Sequence, residues 1–200
     1  MSIAVAVRKG TTLAVAADSQ ENFGDRKIVG TNHRATKIMS LGGSELAMTG
    51  WGVYDNVFTD YLASRRAPRF ASEREIFTFF VKLWKDLRRR YSFVEDQVAE
   101  DDRSPFADLD SSFLIGNRHG IFHVSGDMSV MAFREYYAIG SGASYALGVL
   151  HALYATEKDA AVLARRACEA AITFDVYCGG EIDVRRVSLG TSKTARRRSR

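Results

Sequence analysis

The chain has 200 residues, which fits one domain with a real core, and its 46% hydrophobic and 26% charged residues are ordinary for a soluble globular protein. No apolar run is long enough to cross a bilayer and no basic-then-apolar leader is visible, so neither a membrane-spanning nor a secreted protein is expected, and the cytoplasm is. The net charge of +4 does not describe the fold, because Lys193, Arg196, Arg197, Arg198 and Arg200 alone exceed it.

Met1 is followed by Ser2, a residue small enough for aminopeptidase to remove the methionine. Ser2 would then carry a hydroxyl and a free α-amine on adjacent carbons. An α-amine titrates near pH ~7.7–8.0, so it can act as a general base close to neutrality. Ile3–Val7 and Thr11–Ala17 are uncharged runs that predict two buried strands, joined by a tight turn at Lys9-Gly10 and ending on Asp18. Residues 19–34 are predicted as a polar loop. Lys37–Leu41 and Glu45–Thr49 predict a hairpin around Gly42-Gly43.

Gly50-Trp51-Gly52 opens a predicted helix to about Arg65. Ser72 and Glu75 form a capping-box pattern before Ile76, Phe80, Leu83, Trp84 and Leu87, whose spacing predicts an amphipathic helix to about Tyr91. An acidic segment follows, with Glu95, Asp96, Glu100, Asp101, Asp102, Asp108 and Asp110 opposed only by Arg103, and it is predicted as a solvated loop insertion over about 94–111. Strands are predicted at Phe113–Gly116, Gly120–Val124, Val130–Phe133 and Tyr137–Gly140. Helices follow at Ala143–Tyr154 and Asp159–Phe174, and a last strand at Glu181–Leu189. Strands, two helices, strands, two helices and a strand specify an α+β fold, a four-layer α-β-β-α sandwich over residues 2–190. Residues 191–200 are read as a basic disordered tail without a nucleic-acid role, since no aromatic interleaves the arginines.

The chemistry-bearing residues recur in a particular order: Ser2, Asp18 at the end of the second strand, Lys37 at the start of the next, and the small-residue loop Thr49-Gly50-Trp51-Gly52. Then come Ile139-Gly140-Ser141-Gly142 with Tyr145-Ala146, and Asp175-Val176-Tyr177-Cys178-Gly179-Gly180. This series resembles the proteasome family of N-terminal nucleophile hydrolases, over roughly residues 2–189. The likeness is to its HslV branch and, through the serine start, long loop and basic tail, most of all to the betaproteobacterial proteasome homologues beside that branch. The resemblance implies a threonine-type endopeptidase fold in which Ser2 replaces the usual threonine as nucleophile. It implies that Lys37 favours the alkoxide, that Asp18 keeps Lys37 charged, and that Ser141 and Asp175 hold the α-amine. It places a backbone N–H of Gly50 or Trp51 at the oxyanion, with Cys178 as a supporting residue where the family usually has serine.

The resemblance further implies a homo-oligomer of two stacked rings, a tetradecamer in preference to a dodecamer, enclosing a chamber for peptide or unfolded protein. Asp101, Asp102, Asp108 and Asp110 would then line the substrate route. No cofactor or metal is expected, and His33, His119, His123 and His151, which lack ligand spacing, read as structural or surface residues. No Gly-x-x-x-x-Gly-Lys-Ser/Thr stretch occurs, so any ATP-driven unfoldase must be another chain. Nucleic-acid and membrane partners are not expected. Two alternatives stand beside the peptidase: a small-molecule amidase of the same nucleophile class, and a catalytically silent chamber or scaffold.

Overall fold

The computed structural model describes residues 2–28, 36–90 and 109–189. Its central pair of strands is β1 (Ala4–Lys9) and β2 (Thr12–Asp18), and the paired Lys9 and Thr12 leave Gly10 and Thr11 as the two-residue turn. Gly10 takes φ +54, a left-handed conformation that costs glycine little. The strands alternate as a period of two requires. Ile3, Val5 and Val7 face one layer, and Ala4 and Ala6 face the other.

β1 and β2 lie inside a four-stranded antiparallel sheet with β10 (Tyr136–Ile139) and β11 (Ile182–Ser188), in the order β10-β1-β2-β11. A second antiparallel sheet runs β5-β6-β7-β8-β9, from Ile38–Leu41, Ser44–Gly50, Ser111–Asn117, Gly120–Val124 and Val130–Phe133. The β5–β6 turn is made by Gly42 and Gly43 at φ +56 and +83, the doubly left-handed turn that matches strand twist. The sheets meet through Leu13, Val15, Ala17, Ile38, Ala47, Leu114 and Ile121. They are so close at Gly116 that a Cβ there would lie 2.5 Å from Val15 Cγ2.

Helices α1 (Val53–Ala63) and α2 (Glu73–Arg90) cover the second sheet. Helices α3 (Ala143–Leu153) and α4 (Ala160–Phe174) cover the first. The result is the expected α-β-β-α sandwich. Half of the capping box forms, with Glu75 N–H donating to Ser72 Oγ at 3.3 Å, while the Glu75 carboxylate accepts from Ala71 N–H at 3.4 Å instead of from Ser72. Helix α1 begins at Val53, later than predicted, because Gly50 still belongs to β6 and carries φ +116.

The predicted loop after Asp18 departs from expectation. It contains a short hairpin, β3 (Glu21–Phe23) and β4 (Arg26–Ile28), turning at Gly24. Its residues are mostly polar and largely exposed, and Phe23 and Ile28 alone make no apolar alternation to announce it. At the other predicted insertion, Leu109 is buried and Ser111 already belongs to β7. Residues 94–108 of that segment and the 191–200 tail lie outside the described residues.

Candidate active site

Ser2 sits just before β1 and is 4% exposed. Antiparallel pairing of β1 with β2 brings Asp18 beside it, because Ala4 registers with Ala17. The Ile3 N–H donates to Asp18 Oδ1 at 3.1 Å, and the Asp18 N–H donates back to the Ile3 carbonyl at 3.2 Å. Asp18 is 1% exposed, and its carboxylate accepts twice more, from Gly179 N–H at 3.0 Å and from Lys37 Nζ at 2.7 Å. Lys37, immediately before β5, also donates to the Gln20 carbonyl at 2.5 Å.

A buried carboxylate with three donors and a largely buried ammonium with two acceptors satisfy one another. Desolvating either ion alone would cost several kcal/mol, so the two sheets are tied through this pair. The side chains of Lys37 and Asp18 are 11% and 0% exposed, which shields their charges from salt.

The strand β10 and helix α3 deliver the next group. Gly140, at φ +100, approaches the Ser2 carbonyl so closely that a Cβ would lie 2.1 Å from that oxygen. Gly142 N–H donates to the Ser2 carbonyl at 3.4 Å, and Ser141 Oγ makes a long 3.5 Å contact with it. Asp175, the residue that ends α4, lies behind Ser141, whose hydroxyl favours its charged form. Its carboxylate also accepts from Tyr177 N–H at 3.0 Å and from the Cys178 thiol at 3.4 Å. Burial disfavours the charged Asp175, but the Ser141 hydroxyl, the Tyr177 amide and the Cys178 thiol together outweigh it and hold its pKa below the ordinary carboxylate value. Cys178 is pushed up to about 12, first by burial and then by the Asp18 carboxylate and its bond to Asp175. It is therefore a neutral donor here.

The loop before α1 supplies main-chain groups. Thr49 Cγ2 lies near Gly140, which brings the end of β6 against the start of β1. The Trp51 N–H is engaged, donating to Ser111 Oγ at 3.0 Å. Asp110 is also here, its carbonyl oxygen 2.5 Å from where a Cβ on Gly50 would be. Asp101, Asp102 and Asp108 lie outside the described residues.

Ser2, Asp18, Lys37, Ser141, Asp175 and Cys178 thus come together from the ends of β1, β2, β10 and α4 and from the residue before β5, with Gly50 next to Thr49 at the end of β6. Two participants were not read from the sequence. Ser111 holds the Trp51 amide, and Gln20 accepts Lys37; neither stands in a patterned motif, and only the fold reveals them. Among the described residues no set of three His, Cys, Asp or Glu side chains is grouped to hold a metal. His123 is buried beside Tyr137 in β8, away from this cluster, and burial lowers its pKa, with Asp127 acting in the opposite direction.

With that geometry in hand, the chain can be compared with known proteins. A family model described as Proteasome subunit matches residues 112–187. The HslV subunit of an ATP-dependent protease from Hyphomonas neptunium is 25% identical over 187 residues, covering 92% of this chain and 91% of the relative. The solved structure of Thiobacillus denitrificans BPH superposes with TM-score 0.84 at 30% identity, over 94% of this chain and 99% of that one. The same protein in complex with epoxomicin gives TM-score 0.83 and 28% identity, with the same shares of each chain covered. Nearly whole-length agreement in sequence and backbone, joined to the sandwich and the order of its elements, places this chain in the proteasome family.

Proposed function

We propose that this chain is a peptidase of the N-terminal nucleophile class, with Ser2 as nucleophile once Met1 is removed. The observation that carries the reading is the Lys37–Asp18 pair at 2.7 Å, its carboxylate buried and bonded to the Ile3 amide and so to the residue directly after Ser2. The Ser2 Oγ attacks a peptide carbonyl while its proton passes, through a water, to the α-amine. The Lys37 ammonium favours the alkoxide and disfavours a protonated amine beside it. The tetrahedral intermediate collapses with release of the amine half of the substrate, which takes the proton. Water then hydrolyses the Ser2 ester.

We assign the oxyanion donor to the Gly50 amide, because the Trp51 amide is committed to Ser111. Ser141, Asp175 and Cys178 form the hydrogen-bonded backing of the nucleophile's main chain. Serine lacks the methyl that restricts threonine's χ1, so this packed backing matters more here. No cofactor enters these steps.

Assembly into two stacked rings, as a tetradecamer, belongs to the same reading. It is supported by the relatives' description as protease subunits and by exposed apolar side chains beside the site. Phe174 is 67% and Val176 80% exposed, with Tyr145 against Phe174 at 5.6 Å, a patch that association would cover. The relatives' ATP-dependence suggests a separate unfoldase, and the acidic segment around Asp101, Asp102, Asp108 and Asp110 is proposed to line the route of basic or unstructured substrates.

The test is intact mass of the purified protein together with labelling by a peptide epoxyketone, which reacts only where a hydroxyl and a free α-amine are adjacent. Loss of Met1 and stoichiometric labelling at Ser2 are expected. Retained Met1 in the assembled protein would end the peptidase reading in favour of a silent chamber.

A further inference from the structure

Gln20 lies two residues beyond Asp18 and is 2% exposed, yet it is a polar side chain. Its main chain and side chain make separate connections. The Gln20 carbonyl accepts from Lys37 Nζ at 2.5 Å, and its N–H donates to the Gly179 carbonyl at 2.9 Å, alongside Ser19 N–H at 3.2 Å. Its Nε2 donates to the Val176 carbonyl at 3.0 Å and to Asn22 Oδ1 at 2.9 Å. Asn22 in turn donates to the Tyr177 carbonyl at 3.1 Å.

The side chain therefore ties the end of β2 to residues 176–179, the segment carrying Cys178 behind Asp175 and Ser141. Gly179 makes room for it, since a Cβ there would be 2.2 Å from Gln20 Oε1. That oxygen is buried and has no hydrogen-bond partner among the described residues. An unpaired buried acceptor is costly, so an apolar residue would suit this position better if packing alone mattered. The side chain's two donated bonds are what it supplies.

We infer that Gln20 is a positioning residue of the active site, its side chain fixing its own carbonyl and thereby the aim of the Lys37 ammonium at Ser2. The inference rests on the peptidase reading for its kinetic consequence, but its geometric content is independent of it. Lys37 has two acceptors, and Asp18 alone leaves the ammonium free to pivot about one bond. The Gln20 carbonyl removes that freedom, and the bonds to Val176 and Asn22 keep this carbonyl in place. The same bonds make the Lys37 side and the Asp175–Cys178 side of the site move as one body.

The experiment compares the full-length wild type, Gln20→Met and Gln20→Ala by peptide hydrolysis across pH, thermal melting and crystallography. Methionine fills the same volume without donors, which separates positioning from cavity formation. Gln20→Met is expected to melt within a few degrees of wild type and to lose about 10- to 100-fold in kcat with KM within about twofold, as misplacement of a catalytic group by about 1 Å predicts. The acid limb of kcat/KM should move to higher pH, because a less well-aimed Lys37 charge does less to keep the α-amine unprotonated. Its crystal structure should show Lys37 Nζ withdrawn from the Gln20 carbonyl.

A folded Gln20→Met protein with wild-type kcat and an unmoved Lys37 overturns the inference. So does a loss confined to Gln20→Ala, which would mean the side chain only fills space. If the wild type itself neither hydrolyses peptides nor takes the epoxyketone, the peptidase reading fails separately. The Lys37 position in the variant crystals then still decides whether Gln20 holds it.

Discussion

Between α3–α4 and the β10-β1-β2-β11 sheet, the contact is made mainly by small side chains, among them Ala14, Ala16, Ala146, Ala164, Ala167 and Ala171. Between α1–α2 and the other sheet it is made by rings, with Phe80 centred 4.9 Å from Phe113 and Phe58 5.5 Å from the same ring. Alanines let a helix lie close to a sheet with little slack. At Gly142 a Cβ would lie 2.6 Å from Ala171 Cβ and 2.9 Å from Cys178 Sγ. The aromatic layer instead fills a wider gap with volume. Most candidate site residues (Ser2, Asp18, Ser141, Asp175 and Cys178) belong to the alanine-side sheet and its helices, where an error in helix position passes directly to Ser2. The aromatic side contributes Gly50 and the adjoining Lys37, and otherwise mostly stability.

Removing the chemistry gives the largest expected effect. Ser2→Ala should lower peptide turnover by at least about 10³-fold with assembly and melting temperature unchanged, while Ser2→Thr keeps activity. Lys37→Ala should be as inactive but also less stable, by about 3–5 kcal/mol, because it strands the buried Asp18 carboxylate. An active Ser2→Ala enzyme would place the nucleophile elsewhere.

The two layers are separated by a matched pair. Ala171→Leu overpacks the close layer at a cost of about 1–3 kcal/mol, and it should lower kcat by about 100-fold because Asp175 and Cys178 shift with α4. Phe58→Leu removes volume from the aromatic layer at a similar cost in stability, and kcat per folded molecule should stay within about twofold. Equal kinetic losses in the two variants, read beside their denaturation curves, would erase the distinction between the layers.

A smaller effect is expected at Ser111, where the aromatic-side sheet meets the site. Ser111→Ala leaves the Trp51 N–H without its acceptor, at about 1 kcal/mol. Loosening of the Gly50 turn should appear as about a tenfold fall in kcat with KM unchanged. A change in KM alone would instead assign Ser111 to substrate binding.

The smallest effect is expected at the far end of α4. Asp159 caps that helix, its Oδ1 accepting from Ala161 N–H at 2.7 Å and Val162 N–H at 3.1 Å. Its pKa is lowered by Arg186, in the first place, and by the Val162 and Ala161 amides, against an opposing effect of desolvation. The folded value thus lies below the unfolded one. The stabilisation is fully present above about pH 4 and is lost as pH falls through the lower folded value. Asp159→Ala should cost about 1 kcal/mol near neutrality, with kcat unchanged, and the two melting curves should converge in strong acid. Divergence that widens on acidification would refute the sign.

Much of this architecture is legible in the amino-acid order. Uncharged runs at Ile3–Val7 and Thr11–Ala17, the glycine pair at 42–43 and the helical repeat from Ile76 to Leu87 each state a local preference that burial then rewards. Ser2, Asp18, Lys37, Ser141 and Asp175 were legible as candidates because each stands near the end of an element and their order forms a recognisable series. The β3–β4 hairpin was not, since its stability comes from contacts such as Asn22 with Tyr177 rather than from a pattern of its own.

The sequence by itself determined most of the elements, their order and most of the candidate site residues that the fold brings together, because hydrophobic periodicity and turn residues act over a few positions. Only the tertiary structure decided the roles of Gln20 and Ser111 and the commitment of the Trp51 amide. Those depend on hydrogen bonds between segments distant in sequence, 156 positions apart for Gln20 and Val176 and 60 for Trp51 and Ser111. Such bonds become available only when the sheets have packed and water has left the space between them.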